Sequence, residues 1–374
     1  MLPAIVSSTR EGSTRPIQVL HVVESLGGGV ATALESYIRN TPGQAHTVLA
    51  WRRDGAQTGD ALDRLATTML SLPAGRLAQL RAVRHHVARL RPDVIHAHSS
   101  YAGLYVRLLR RPGRSLVYTP HGYPFERRDV PAALRSLFWL VEAALSFRGT
   151  CVAAVGPREA RLAERLPGHQ LVMYVPNVVD HLALASSIQL ASSPPGDNGE
   201  NVGRLRVAAL GRITAQKSPG FFRSAARLSR ERRLPVDWIW VGGGDFEDER
   251  ALREAGVLVT GWLSRPAALG RLSTVDAYVH TAAWEGAPLS VLEAAALDLP
   301  ILARRSPALE ALGVEPLHDN PESLVAAVAG LLDEQRREQL RARSRSLLQK
   351  HAPDAQRRTL EQLYATAGHA AVRT

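Results

Sequence analysis

Residues 17–40 read IQVLHVVESLGGGVATALESYIRN: an apolar run of strand length, three glycines, and a segment with helical spacing. Strand, tight glycine turn and helix in that order open a nucleotide-binding type of α/β domain. The same alternation continues outward. HTVLAW (46–51), DVIHAHS (93–99), SLVYTPHG (115–122), TCVAAVG (150–156) and LVMYVPN (171–177) read as strands. Between them DALDRLA (60–66), GRLAQLRAVRHHVARLRPD (75–93), YAGLYVRLL (101–109), 131–147 and PREARLAERL (157–166) read as helices. The strands are apolar with little polar alternation, which predicts a parallel sheet covered on both faces.

Residues 186–203 (SSIQLASSPPGDNGENVG) break the rhythm with serine, proline, glycine and asparagine, and read as a linker. Beyond it the alternation restarts with RLRVAALGR (204–212), a helix from 219 to 231, VDWIWVGGG (236–244), DERALREAG (248–256), VLVTGWL (257–263), VDAYVHTA (275–282), SVLEAAALD (290–298) and PILAR (300–304). The expected organisation is a loose tail (1–16), a first domain (17–185), the linker, a second domain (204–350) and a helical segment (351–374) that packs back on the first domain. The fold class is α/β: two Rossmann-like α/β/α domains facing each other across a cleft.

Composition narrows the function. The 374 residues carry 45% hydrophobic and 22% charged side chains, a globular balance, and no stretch nears the roughly 20 uninterrupted apolar residues of a membrane span. A single cysteine, Cys151, leaves no intramolecular disulfide and no cysteine-based zinc cluster, and the expected location is cytoplasmic. The net charge of +11 is uneven: residues 1–185 hold 22 arginines against 13 acids, and 186–374 hold 24 basic against 22 acidic residues. Such a basic lobe attracts anionic substrates, membrane surfaces or nucleic acid. No nucleic-acid-binding motif is present. The 76–91 segment sets Arg76, Arg81, Arg84, Arg89 and Arg91 opposite an apolar stripe of Leu77, Leu80, Val83, Val87 and Leu90, which suggests docking on the anionic inner face of a membrane.

Two segments carry the chemistry. The first runs from Glu285 to Glu293 (EGAPLSVLE) behind the strand VDAYVHTAAW. Pro288 suits the first turn of a helix starting near Ala287, whose amides at Ala287, Leu289 and Ser290 would form an anion site. Glu285 would stand at its mouth and Glu293 would accept hydrogen bonds from vicinal hydroxyls. The second, GRITAQKS (211–218), follows a strand and aims Arg212 and Lys217 at the same crevice. The chain holds 44 arginines but only two lysines, Lys217 and Lys350, so a lysine at this turn stands out. An arginine fork and a lysine point charge suit a diphosphate.

GR-x4-KS after a strand, then E-x7-E opening a helix, resembles the GT4 family of retaining glycosyltransferases with the GT-B fold. LHVVESLGGGVATALESYI, DVIHAHSSYAGLYVRLL, YTPHGYPF, VPNVVD, WVGGGDFEDE and VTGW extend the resemblance across most of the chain. HSSYAGL and TPHGYPFERRD look most like bacterial members that build exopolysaccharide or cell-envelope glycans. The resemblance implies a nucleotide-sugar donor, a UDP-sugar in first place, and a glycan or lipid-linked acceptor. It further implies that Arg212 and Lys217 hold the departing diphosphate, Glu293 the ribose, and Glu285 the sugar hydroxyls. His121 would lie near the anomeric carbon, with Gly28, Gly29 and Gly243 allowing close backbone approach. No two aspartates lie two positions apart, so the expectation is catalysis without a metal or other cofactor. RSPALEALGV (305–314) departs from the glycine-bearing loop of many relatives. A nucleotide-sugar 2-epimerase of the same fold and a non-catalytic nucleotide-sugar-binding protein are the competing readings. His96 and His98 share one strand face, with no third metal ligand evident in the sequence.

Overall fold

A computed structural model describes residues 15–52, 61–109, 115–168, 170–180, 184–185 and 203–370. Nearly all of the expected tail and linker, and residues 371–374, lie outside the described residues.

The first lobe holds strands β1 (Gln18–Leu26), β2 (Ala45–Arg52), β3 (Thr68–Ser71), β4 (Val94–His98), β5 (Ser115–Thr119), β6 (Cys151–Ala154) and β7 (Leu171–Tyr174). They form one sheet in the order β3-β2-β1-β4-β5-β6-β7, and every pairing is parallel. Helices α1 (Gly28–Asn40), α2 (Ala61–Leu65), α3 (Arg76–Leu90), α4 (Ser99–Leu108), α5 (Ala132–Ser146) and α6 (Pro157–Glu164) connect them. The edge strand β3, TMLS, is too short and too polar to announce itself in the sequence.

The second lobe repeats the plan with β8 (Leu205–Leu210), β9 (Val236–Val241), β10 (Val257–Val259), β11 (Ala277–His280), β12 (Ile301–Arg304) and β13 (Leu317–His318), ordered β10-β9-β8-β11-β12-β13. Its helices are α7 (Pro219–Glu231), α8 (Phe246–Glu254), α9 (Arg265–Leu272), α10 (Leu289–Ala296), α11 (Pro307–Leu312), α12 (Pro321–Gly330) and α13 (Glu334–Gln349). The last helix, α14 (Pro353–Ala370), returns to the first lobe. Its Leu360, Leu363, Tyr364 and Ala367 pack with Val19, Val94, Val117 and Ala153 of the first sheet.

Both sheets are doubly wound, so each has a switch point where strand order reverses and a crevice opens beyond the strand ends. In the first lobe the crevice lies between the ends of β1 and β4, at Gly27–Gly29 and His98. In the second it lies between β8 and β11, which puts GRITAQKS and the loop before α10 side by side. Topology, not sequence proximity, unites the two motifs.

Two helices differ from their sequence reading in what they expose. Val83 and Val87 of α3 are buried in the first lobe's core, and Gln79 beside them, while Leu77 at its start is 72% exposed, so the apolar stripe is mostly consumed by packing. α5 does the reverse. Its C-terminal part is anchored by buried Glu142, Ala143, Leu145 and Ser146, whereas Leu134, Leu137, Trp139, Leu140 and Val141 face solvent, Leu140 by 58%.

Candidate functional site

At the switch point of the second lobe, the two motif loops are stitched together. The Lys217 ammonium donates to Glu285 Oε1 at 2.6 Å, and Gln216 Nε2 donates to Glu285 Oε2 at 3.3 Å. Ala283 N–H donates to the Gln216 carbonyl at 2.8 Å, and the Thr281 hydroxyl to that of Lys217 at 2.8 Å. The Lys217 stem lies over Gly211, whose φ of 136° is a conformation that favours glycine. Beneath Glu285 sits His280, its Nε2 3.8 Å from Oε1. The Tyr278 hydroxyl donates to Ser290 Oγ at 2.9 Å and therefore accepts from His280 Nδ1 at 3.0 Å. Burial, then the Lys217 charge, holds the His280 imidazole well below its ordinary pKa.

Helix α10 begins at Leu289, later than the sequence suggested. Pro288 is its cap rather than a first-turn residue, and Val291 N–H is already bonded to the Pro288 carbonyl at 3.2 Å. The amides of Leu289 and Ser290 thus head the helix, while Ala287 precedes it. The Ala287 carbonyl is gripped from the first lobe by Asn177 Nδ2 at 2.8 Å. Glu293 is buried inside the helix with Oε1 2.5 Å from Arg265 Nη2, an ion pair invisible in the sequence. Arg212 is exposed on the loop after β8. Gly243 is buried under Trp262, and a Cβ there would come within 2.8 Å of the indole. Trp262 itself is 64% exposed.

The first lobe meets this arrangement with two backbone turns. Gly28 and Gly29 do not form a separate loop; they open α1, and a Cβ on Gly29 would lie 3.7 Å from Leu289 Cδ1. The heads of α1 and α10 therefore face each other across the cleft. His121 and Gly122 both take positive φ, 52° and 96°, and a Cβ on Gly286 of the opposite lobe would come within 2.9 Å of Gly122 N. Left-handed backbone at a non-glycine residue such as His121 costs on the order of 1–3 kcal/mol and needs external support. Glu159 supplies it: Oε2 accepts Gly122 N–H at 2.6 Å and Oε1 accepts Val155 N–H at 3.0 Å. Burial pushes the Glu159 carboxyl up to about 7, against the opposing pull of those two bonds.

The sequence showed no third partner for His96 and His98, and the fold corrects this. His21 on β1 comes beside them, with potential ligand atoms of the three within 4.8 Å of one another. Every ring nitrogen of the three already has a protein partner. His96 bonds Tyr364 at 3.0 Å and Thr119 at 2.8 Å, His21 bonds His98 and His46 at 3.0 Å each, and His98 Nδ1 meets His121 Nε2 at 3.2 Å. His121 thus stands at the cleft end of a histidine row. Burial lowers its pKa to about 4, and it also depresses those of His21, His46, His96 and His98.

His21, His46, Glu159, Arg265, Tyr278 and His280 were not singled out in the sequence. Each lies on an element whose neighbours are set only by strand order, and none is part of a local pattern. Acids or histidines within apolar strands and short helices were the one available signal.

Two doubly wound lobes, a basic and helix-headed crevice on one and a histidine turn facing it from the other, define the GT-B architecture of glycosyltransferases. The Glycosyl transferase 4-like domain family matches residues 28–178 and the Glycosyl transferases group 1 family matches residues 204–334. The chain belongs to this GT4-type group of glycosyltransferases. It is similar to the UDP-Gal:alpha-D-GlcNAc-diphosphoundecaprenol alpha-1,3-galactosyltransferase of Escherichia coli, 28% identical over 228 residues. That match spans 56% of this chain and 57% of the relative's length. A 41.2 kDa protein of the cps region of Klebsiella pneumoniae is 20% identical over 77% of this chain and 80% of its own. Among solved structures, HepE of Anabaena, in complex with UDP and glucose, superposes with a TM-score of 0.73 over 93% of this chain and 100% of that one, at 17% identity.

Proposed function

We propose that the protein transfers a sugar, with retention of anomeric configuration, from a nucleoside diphosphate sugar to a glycan or lipid-linked acceptor in cell-envelope or exopolysaccharide synthesis. A UDP-sugar is the favoured donor. The observation that carries this reading is the Lys217–Glu285 pair set at a switch point between the facing heads of α1 and α10. Lys217 and Arg212 meet the diphosphate, joined by the amides of Leu289 and Ser290 at a positive helix end. Basic groups and helix amides take the place of a metal there. Glu285 receives the sugar hydroxyls, Glu293 the ribose hydroxyls with Arg265 orienting its carboxylate, and His121 faces the anomeric centre. The departing phosphate assists deprotonation of the acceptor hydroxyl. The family resemblance and the HepE complex with UDP support this reading. The test is thermal stabilisation by UDP, GDP, ADP and TDP and their sugars. One base should shift the protein clearly and less so in Arg212→Ala and Glu293→Ala, since ligand at 100 times its dissociation constant adds about 2.7 kcal/mol. No shift with any of them sinks the donor assignment.

The acceptor is lipid-linked in this proposal. A cavity of about 160 Å³ beside Glu285 is lined by Arg128, Arg135 and Arg158, the last paired with Glu126 of the same lining at 2.6 Å, so the arginines leave a net positive charge there. Arg135 belongs to α5, whose exposed apolar face continues from there. An anionic head group suits the arginines and a hydrocarbon tail suits α5, so membrane contact moves from α3 to α5. The Escherichia coli relative, named for a diphosphoundecaprenol-linked sugar, supports this. Flotation with anionic vesicles should be lost in Leu137→Ser/Leu140→Ser and unaffected by Arg84→Ser; equal binding of neutral vesicles would argue against it.

A further inference from the structure

The buried histidine row has a direction, and its direction follows from its far end. His46 Nε2 lies 3.1 Å from the Thr41 carbonyl and 3.0 Å from Thr41 Oγ1. The carbonyl can only accept, and the hydroxyl's one proton is committed to the Tyr37 carbonyl at 2.7 Å. Both Thr41 oxygens are therefore acceptors, and His46 carries its proton on Nε2. A neutral imidazole has one donor and one acceptor nitrogen, so each ring dictates the next. His46 Nδ1 accepts from His21 Nε2, His21 Nδ1 accepts from His98 Nε2, and His98 Nδ1 accepts from His121 Nε2, at 3.0, 3.0 and 3.2 Å. Reversing any one ring would set two lone pairs or two N–H groups against each other in a buried site, leaving polar groups unsatisfied.

The geometry points to a tautomer relay: Thr41, His46, His21 and His98 are positioning residues that lock His121 as the Nε2–H tautomer and leave its Nδ1 lone pair as an acceptor in the cleft. Among the described residues Nδ1 of His121 has no hydrogen-bond partner, and it is the open end of the row. A hydroxyl of the transferred sugar is the donor it fits, a role that rests on the proposed sugar-transfer function. The locked tautomer does not rest on it. Neutrality of the row agrees with the burial of His21, His46 and His98 and the partial burial of His121, which disfavour the charged form. His96 stands outside the relay, since its nitrogens are taken by Tyr364 and Thr119.

The test is two-bond proton–nitrogen NMR of the full chain with labelled histidine, assigned by single substitution. His46, His21, His98 and His121 should all show protonated Nε2 and bare Nδ1. In His46→Phe, His21 loses its acceptor and His121 should become a mixture of tautomers. His46→Asn, whose amide oxygen replaces Nδ1 as acceptor, should restore the single form. A wild-type His121 protonated on Nδ1, or a mixture there, overturns the proposal. So does a His46→Phe protein whose His121 is unchanged. Should His46→Phe not fold, His98→Phe against His98→Asn asks the same question one ring from the cleft. In turnover, His98→Phe should lower kcat about tenfold, the order of one lost hydrogen bond, with the dissociation constant for UDP unchanged and most of the rate recovered in His98→Asn. If neither NMR nor rate distinguishes Phe from Asn, the row is only packing. A normal relay by NMR with no turnover on any sugar donor would fault the functional reading and leave the relay standing.

Discussion

The ammonium of Lys217 and the carboxylate of Glu285 meet at 2.6 Å across 68 residues of sequence, at the one place where the order of the second sheet reverses. In the proposed function, a diphosphate would compete with Glu285 for Lys217 and free the carboxylate for sugar hydroxyls.

Lys217→Ala should therefore lower kcat by about 10²–10³, the order found when one preorganised group at a developing charge is removed. Lys217→Arg should rescue poorly, because a planar fork cannot occupy the place of a compact ammonium over Gly211. Steady-state turnover of the donor identified by thermal shift measures both; a Lys217→Ala enzyme at full rate would remove the lysine from the mechanism.

Transfer should persist undiminished in excess chelator. Radiolabelled or mass-detected product in EDTA, compared with added magnesium or manganese, decides this. Complete loss in chelator with recovery by one cation would put a metal at the diphosphate in place of the helix head.

The pH dependence of stability has two opposed contributions. Histidines 21, 46, 96, 98 and 121 have folded pKa values below their unfolded ones, so the unfolded chain binds more protons at low pH. Their contribution is complete above about 6.5 and falls away as pH drops through that value toward about 4, where His121 charges. Glu159, raised to about 7, acts in reverse: its contribution is full below the ordinary carboxyl pKa of 4.5 and is lost as pH rises to about 7. Burial depresses His280, His318 and His351 in the same sense as the row, and raises Glu35 and Glu126 with Glu159. The depressed histidines outnumber the raised carboxyls, so the melting temperature should fall from pH 7 to pH 5. His98→Asn should flatten that fall, and calorimetry across the range reads it.

Glu159→Gln tests the support beneath His121. An amide can accept from only one of the two N–H groups now bound and turns an NH2 toward the other, leaving a buried donor unsatisfied at about 1–3 kcal/mol. The expected result is a lower melting temperature with kcat reduced more than nucleotide affinity, because the histidine turn moves while the second lobe does not. Equal loss of both would mean general unfolding.

Arg107 on α4 and Glu142 on α5 form a buried ion pair at 2.9 Å, with the guanidinium over the Tyr118 ring at 4.1 Å and the Tyr118 hydroxyl donating to Glu142 at 3.0 Å. Removing one partner leaves a charge buried alone. Glu142→Ala should destabilise by about 3–5 kcal/mol, and Arg107→Met/Glu142→Leu by much less. Denaturant unfolding of the three proteins measures the difference; a mild Glu142→Ala would show that water reaches the arginine.

Much of this was legible in the chain. Apolar strands alternating with helical periodicity predicted two parallel-sheet lobes, and the glycine turn after β1 predicted where the first crevice opens. GRITAQKS and EGAPLSVLE each carried a local signature, because a strand-end turn and a helix head are made by neighbouring residues. The start of α10 was misjudged by two residues, since Pro288 fits either a cap or a first turn. The arginine stripe of α3 suggested docking on an anionic membrane face, but the sequence could not show that α5 exposes the larger apolar face.

What the sequence by itself determined was local: which segments are strands and helices, and which turns can bring backbone amides or basic groups to a strand end. What only the tertiary structure decided was partnership. His46, His21, His98 and His121 lie on or just beyond four strands, and no spacing along the chain relates them. They become one hydrogen-bonded row because β2, β1, β4 and β5 are consecutive in the sheet and their inward side chains share a face. Glu159 under His121, and Arg265 against Glu293, arise in the same way. Periodicity records how a residue sits relative to its own element, whereas a hydrogen bond between elements depends on strand order and register, which the burial of the whole sheet selects.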